Sequence, residues 1–316
     1  MTEINLLFLA PHWRVTLMRA FQESWSKRQL PGRLLGADSD AQAGALQVLT
    51  ESFELPAFDD AACLGELQRL CKENRVTVVL PLTNRAVEFI DGHRGKLKNW
   101  IPYFPPAETV AVCHDKLKLA GRFREGPLRV PETWLPDALP QEVPYPLIVK
   151  PRTGEGSKNV FHVDGPGDLA YYQNKFADHV FQRRVEGPEF SIDWFADREG
   201  KPRLISPRER LVIRGGEVMK SRIRPEPVVL DAARAAGEEL GLTGPATLQG
   251  ILDADGRFWL TDVNLRFGSG YIHSIIAGAD LPSFIHADLG GYAEEGEMLD
   301  TCEGSVMVRY PGQLLL

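Results

Sequence analysis

The chain has 316 residues, long enough for two or three substructures around a shared core. Hydrophobic residues make up 43% and charged residues 25%, the mixture of an ordinary soluble globular protein. A net charge of −7 without a long basic run argues against wholesale nucleic-acid binding, because phosphate affinity comes from clustered Lys and Arg.

The first element is INLLFLA, a continuous apolar run of the kind expected in a parallel strand covered on both faces. No basic segment precedes it, and His12, Trp13 and Arg14 close it, so it reads as a buried strand and not as an export signal. VTLMRAFQESW then has helical spacing, and GRLLGADS reads as a second strand. LGELQRLCKENR is an amphipathic helix, VTVVLPL a third strand and RAVEFIDGHRGKLK a further helix. This βαβ rhythm predicts a small doubly wound α/β domain over residues 1–108. The loop after its first strand, APHWRV, has none of the glycines that let a pyrophosphate approach a helix start, which excludes a nicotinamide site there.

From Val130 the texture changes. VPETWLPDALPQEVPYP carries five prolines and reads as an extended connector. Alternating, β-rich segments follow, joined by turn signals such as Asp255-Gly256, with helices expected at about 109–124, 167–177, 229–241 and after Gly270. The fold class is therefore α/β followed by α+β. Cys63, Cys71, Cys113 and Cys302 are scattered without CxxC spacing and read as reduced thiols, and no apolar run approaches the length of a membrane span. A cytoplasmic protein is expected, with no membrane or nucleic-acid partner and with a homodimer left open. The histidines form no HExxH pattern, so a catalytic zinc is not expected, and His12, His93 and His114 read as surface or capping residues.

Three stretches could carry chemistry. In LTDVNLRFGSG, Asp262, Asn264 and Arg266 recur at two-residue intervals and so share a strand face, and a hairpin turning at Asp255-Gly256 brings Gln249 beside Asp262. One carboxylate, two amides and a guanidinium suit a Mg²⁺ that takes its other ligands from phosphate. Taken alone, the same alternation more often marks a solvated strand face with an ordinary salt bridge. In VKPRTGEGSKNV, Lys150 ends an apolar strand before Gly154, Gly156 and Ser157, which fits a flap over a polyphosphate or, equally, a solvent hairpin. In VFQRRVEGPEFSIDWF, backbone groups near Gln182 could meet an adenine edge and Glu189 a ribose, unless this is a plain hairpin with a charged rim.

Taken in order, HDKLKLAGRF, IVKPRTGEGS, FQRRVEGPEFS, LQGILDADG and TDVNLRFGSG resemble the ATP-grasp superfamily, especially its carbamoyl-phosphate-synthase-like members and small carboxylate–amine ligases. The resemblance implies a lid subdomain over 109–180 and a C-terminal subdomain over 181–316. It implies ATP with Mg²⁺, or Mn²⁺ in its place: Lys116 and Lys150 on the phosphates under the Gly154–Ser157 loop, Gln182, Arg183 and Val185 along the adenine, Glu189 on the ribose. Gln249, Asp262 and Asn264 would hold the metal, and Arg266 would stabilise an acyl phosphate. Lys220 and Arg222 would contact phosphate or a substrate carboxylate. The implied activity joins a small-molecule carboxylate, activated by ATP, to an amine or amino acid. A kinase-like or carbamoyl-phosphate-forming enzyme and a non-catalytic nucleotide-binding module are the alternatives. Thr83, Asn84, Arg208, Ser269 and His273 are candidates for the acceptor pocket, and Arg210 alternates with Arg208 on its strand.

Overall fold

A computed structural model describes residues 2–126, 128–154, 159–293, 299–310 and 312–315. In the N-terminal domain, β1 (Leu6–Leu9) lies parallel to and between β2 (Leu34–Asp38) and β4 (Val78–Pro81), with α1 (Val15–Lys27) crossing from β1 to β2. The apolar run of β1 is explained by its two faces. Leu6 and Phe8 pack with Leu17, Met18 and Phe21 of α1, whereas Leu7 and Leu9 pack with α2 (Cys63–Glu73) and α3 (Asn84–Gly92). The sequence reading missed β3 (Glu51–Glu54), a parallel edge strand beside β2. Its sequence ESFE is only half buried at alternate positions, so it lacks the apolar signature of the central strands.

A short α4 (Arg94–Leu97) leads to the second region. The single helix expected at about 109–124 is two, α5 (Ala107–His114) and α6 (Lys116–Arg122). Asp115 takes an extended conformation between them, and its Oδ1 accepts from the N–H groups of Leu117 at 2.9 Å and Lys118 at 3.2 Å. An Asp in that position favours starting a new helix over continuing the old one.

A four-stranded antiparallel sheet follows, ordered β5–β8–β6–β7 from β5 (Thr133–Trp134), β6 (Leu147–Pro151), β7 (Phe161–Val163) and β8 (His179–Arg183), with α7 (Pro166–Lys175) between β7 and β8. Its small core is Leu147, Val149, Val163 and Phe181.

The largest sheet joins β9 (Glu189–Ala196), β10 (Pro202–Arg214), β11 (Glu217–Ile223), β12 (Gly244–Leu252), β13 (Phe258–Asn264) and β14 (Val306–Val308) in the order β13–β12–β9–β10–β11–β14. Helix α8 (Pro227–Glu239), inserted between β11 and β12, packs Val229, Ala233 and Ala236 against Trp194 and Ile192. Helices α9 (Ile272–Ile276) and α10 (Leu281–Gly290) close the chain back onto α1. Phe195, Phe267, Tyr271 and Phe284 thereby share one core with Phe8 and Phe21 of the N-terminal domain, and the Phe21 and Phe267 rings meet edge to face at 6.1 Å. No helix among the described residues is long and apolar enough to cross a membrane.

Helix α8 approaches β9 closely because Gly237 has no side chain. A Cβ there would stand 2.1 Å from the Trp194 ring, which is fully buried. Gly237→Val is expected to lower stability by about 1–3 kcal/mol through overpacking, read as a fall in the thermal midpoint. A midpoint at or above that of the parent would show that the helix shifts without cost.

Candidate active site

The β12–β13 hairpin, turned at Gly256 with φ of 74°, forms the floor of the site. Gln249 pairs directly with Asp262, the register expected from the sequence. The strand ends at Asn264, and a turn in which the Arg266 N–H donates to Asn264 O at 2.9 Å brings the guanidinium back over it. Arg266 donates from Nε to Asn84 Oδ1 at 2.9 Å, from Nη1 to Phe267 O at 3.1 Å and from Nη2 to Asn264 Oδ1 at 3.2 Å. Asn84 begins α3 in the N-terminal domain, so Arg266, expected on the strand face with Asp262 and Asn264, is instead positioned by a turn past the strand and by a neighbouring domain.

The facing wall comes from the four-stranded sheet and α6. Lys150 on β6 is only 8% exposed, and burial pushes its ammonium down to about 8, with Asp262 drawing it up and Lys116 driving it further down. Lys116 opens α6 and donates from Nζ to Gly154 O at 3.2 Å. Asp115 Oδ2 accepts from Arg152 Nε at 2.8 Å and lies 2.7 Å from Arg152 Nη2, joining α6 to the start of the glycine loop. Burial works to raise the Asp115 carboxyl, but Arg152 and two backbone N–H groups outweigh it and hold the group below the usual carboxylate range. Gly156 and Ser157, expected over the phosphates, lie outside the described residues.

Between these walls lie Gln182 and Glu189, near the end of β8 and at the start of β9. Gln182 is buried and donates from Nε2 to Thr133 Oγ1 at 2.8 Å. Glu189 accepts from Arg210 Nη1 at 3.1 Å, while Arg210 Nε is buried with no hydrogen-bond partner among the described residues. Arg183 and Val185 border an adjoining space of about 470 Å³ that also reaches Gln182 and Glu189. Lys116, Lys150, Gly154, Gln182, Glu189, Arg210, Gln249, Asp262, Asn264 and Arg266 all line one cavity of about 710 Å³. Around the whole cavity seven lysines and arginines outnumber four carboxylates, the balance that suits a polyphosphate.

Two expected residues are not brought in. Ser221 and Ile223 take the buried places along β11, and the pleat leaves Lys220 and Arg222, expected at phosphate or substrate carboxylate, exposed and outside the cavity lining. Of the acceptor candidates, Thr83, Arg208 and Ser269 line the cavity, whereas His273 is buried behind it between Ser221 Oγ at 2.9 Å and Ser305 Oγ at 3.2 Å. Burial, aided by Arg208, pushes His273 down to about 4, so it is a neutral structural imidazole. Arg208 is bound through Nε and Nη2 to Asp193, both at 2.7 Å, and a Cβ on Gly270 would come within 2.6 Å of its Nη1. That approach explains the second glycine of GSG.

The cavity has a further end that the sequence reading did not assign. His12, Trp13, Asp38 and Phe58 of the N-terminal domain line it, with Trp13 71% exposed. The available signal was positional: His12 follows β1 and Asp38 ends β2, at the carboxyl ends of adjacent parallel strands, where open α/β sheets bind ligands.

The donor set fits a magnesium ion in part. Among the described residues no three His, Cys, Asp or Glu side chains cluster, so acids alone would not hold a cation. Asp262 and Gln249, on paired positions facing the cavity, offer the hard oxygens that Mg²⁺ accepts beside phosphate and water. Asn264, the third residue expected at the metal, lines the same cavity. Its Oδ1 receives Asn84 Nδ2 at 3.2 Å as well as Arg266, and its Nδ2 donates to Asp262 Oδ2 at 3.3 Å, so it acts as a bracket between the acid and the guanidinium.

Comparison with known proteins agrees with this geometry. Among solved structures, an L-amino acid ligase from Bacillus licheniformis is 22% identical with a TM-score of 0.74, over 94% of this chain and 78% of its own. The N5-carboxyaminoimidazole synthetase from Staphylococcus aureus complexed with ADP is 15% identical with a TM-score of 0.76, over 98% and 83%. A biotin carboxylase from Campylobacter jejuni is 16% identical with a TM-score of 0.71, over 95% and 74%. These likenesses carry the fold. No curated protein sequence matches the chain significantly. The model of the PylC-like N-terminal domain matches residues 6–100 and that of the ATP-grasp domain residues 113–270, half of the chain: the protein belongs to the ATP-grasp family.

Proposed function

We propose that the protein is an ATP-dependent ligase that converts a substrate carboxylate to an acyl phosphate, which an amine or amino acid then attacks to form an amide-type bond. The observation that carries this reading is the single cavity in which Lys116 and Lys150 confront Gln249, Asp262 and Arg266. Its volume of about 710 Å³ is that of a site for ligands of nucleotide size. In this reading Lys116 and Lys150 meet the phosphates, Gln182, Arg183 and Val185 follow the adenine, and Glu189, steadied by Arg210, accepts from the ribose. Arg266 neutralises charge on the transferring phosphoryl group, since positioning and charge stabilisation do most of the work in such transfers. A magnesium ion entering with the nucleotide would be held by Asp262 and Gln249 and would offset phosphate charge. No serine elbow or Cys–His pair is needed.

Incubating ATP with pairs of amino acids and measuring ADP and phosphate tests the proposal. Phosphate release that requires both an acid and an amine is expected. ADP release indifferent to any amine would point to a kinase-like reaction instead, and adenine nucleotides that bind without turnover in any pair would point to a regulatory module.

A further inference from the structure

The loop without phosphate-binding glycines carries a His–Asp pair. His12, at φ of 49°, sits against the end of β2, where Asp38 Oδ2 accepts its backbone N–H at 2.9 Å and lies 3.0 Å from its Nδ1. The Asp38 side chain has no exposure, and its Oδ1 accepts the Asp40 N–H at 3.2 Å. A buried carboxylate at Nδ1 fixes the tautomer: the proton stays on Nδ1, and the lone pair is left on Nε2. Among the described residues nothing hydrogen-bonds to Nε2, and the half-exposed ring lines the cavity, stacked on Trp13.

The loop is also pinned to the centre of the site. Arg14 Nη1 donates to Phe267 O at 2.6 Å, the same carbonyl that accepts Arg266 Nη1 at 3.1 Å. The imidazole therefore stands two residues from a loop anchor shared with the arginine assigned to the acyl phosphate.

We propose that His12 is the general base that deprotonates the incoming amine, oriented by Asp38. The inference rests on the ligase reading above. An amine arrives in neutral water as an ammonium and must shed one proton before its nitrogen has a pair to share. His12 Nε2 takes that proton. The freed pair forms the C–N bond, the C–O bond to phosphate breaks with its electrons leaving on the phosphate, and the phosphate carries off the second N–H proton. His12 then returns its proton to solvent. The hydrogen bond from Asp38, with attraction from Asp40, raises His12 above its ordinary value against burial and the repulsion of Arg14. Arg85, Lys116, Lys150, Arg208, Arg210 and Arg266 are the other cations lining this cavity.

The test compares two nucleophiles in the same enzyme. ATP and a mixture of the twenty common amino acids are supplied with or without hydroxylamine, which is already neutral at neutral pH and needs no base; hydroxamate and amide products are read by mass spectrometry. His12→Asn keeps a residue type that tolerates a left-handed backbone. It should lower the ratio of amide to hydroxamate by about 10²-fold. The parent's amide-forming rate should rise with pH through the raised His12 value, a limb that the variant lacks. Asp38→Asn, as a second variant, should move that limb to lower pH. An unchanged ratio in His12→Asn, or a limb unmoved in Asp38→Asn, would overturn the base. Absence of hydroxamate from the parent protein would instead overturn the ligase reading, and this inference with it.

Discussion

Arg266→Ala should reduce turnover by about 10²–10³-fold while ATP affinity changes by no more than about 3-fold, because the guanidinium acts on charge that develops during transfer. The expectation follows from how tightly the group is held. Each of its three nitrogens donates to a fixed acceptor: Asn84 Oδ1, Phe267 O and Asn264 Oδ1. Such a group does little reorganising at the moment of reaction. Arg266→Lys should not rescue the loss, since an ammonium cannot reproduce a planar fork bonded in three directions. Asn84→Ala, which removes one bracket without touching the substrate, should lower kcat more than it raises KM. Steady-state kinetics together with calorimetric titration of ADP would separate these effects. Turnover left intact in Arg266→Ala would remove the arginine from the mechanism.

The second large effect belongs to Lys150. Lys150→Met should weaken nucleotide binding by about 10²-fold, the value of a charge-assisted hydrogen bond of about 2–3 kcal/mol. The pH dependence gives a sharper test. In the empty protein burial holds the ammonium down at about 8, and a triphosphate beside it would raise that value. Below about 8 the lysine is charged both free and bound, so affinity is flat. As pH rises through about 8 the free protein loses the proton that the complex keeps, so binding takes up a proton and affinity falls by up to tenfold per unit. Calorimetry at pH 8.5 in buffers of different ionisation enthalpy should show this uptake, and Lys150→Arg should abolish it. The same burial makes the charged lysine a cost to the folded state, so Lys150→Met should melt no lower than the parent. Proton-neutral binding at that pH would show that Lys150 does not meet the phosphates.

The parts of the site read most clearly from sequence were those set by local rules. The β12–β13 hairpin followed from two strands and an Asp-Gly turn, while a register shift between Gln249 and Gly250 is what sets Gln249 opposite Asp262. The apolar run of β1 announced a strand covered on both sides, whereas ESFE, with Phe53 as its one apolar residue, did not announce the edge strand β3. Lys220 and Arg222, given a role by the resemblance and not by a strand pattern, alternate with the buried Ser221 and Ile223 on β11 and so stand outside the cavity lining. Asn84 was placed only as an acceptor guess because its bond to Asn264 spans 180 residues, beyond any local pattern. His12 was taken for a surface residue because one histidine carries no spacing signal; only the juxtaposition of two strand ends gives it Asp38.

The sharing of Phe8, Phe21, Phe195 and Phe267 in a single core, against the separate small core around Leu147 and Phe181, divides the labour of the molecule. Two of the three enclosing surfaces are welded together, since parting them would wet large aromatic rings at about 25 cal/mol per Å². Only the third can swing cheaply. On the proposed reading a nucleotide would enter and leave by movement of that third surface, while the pocket for the joined substrates would stay fixed on the shared core.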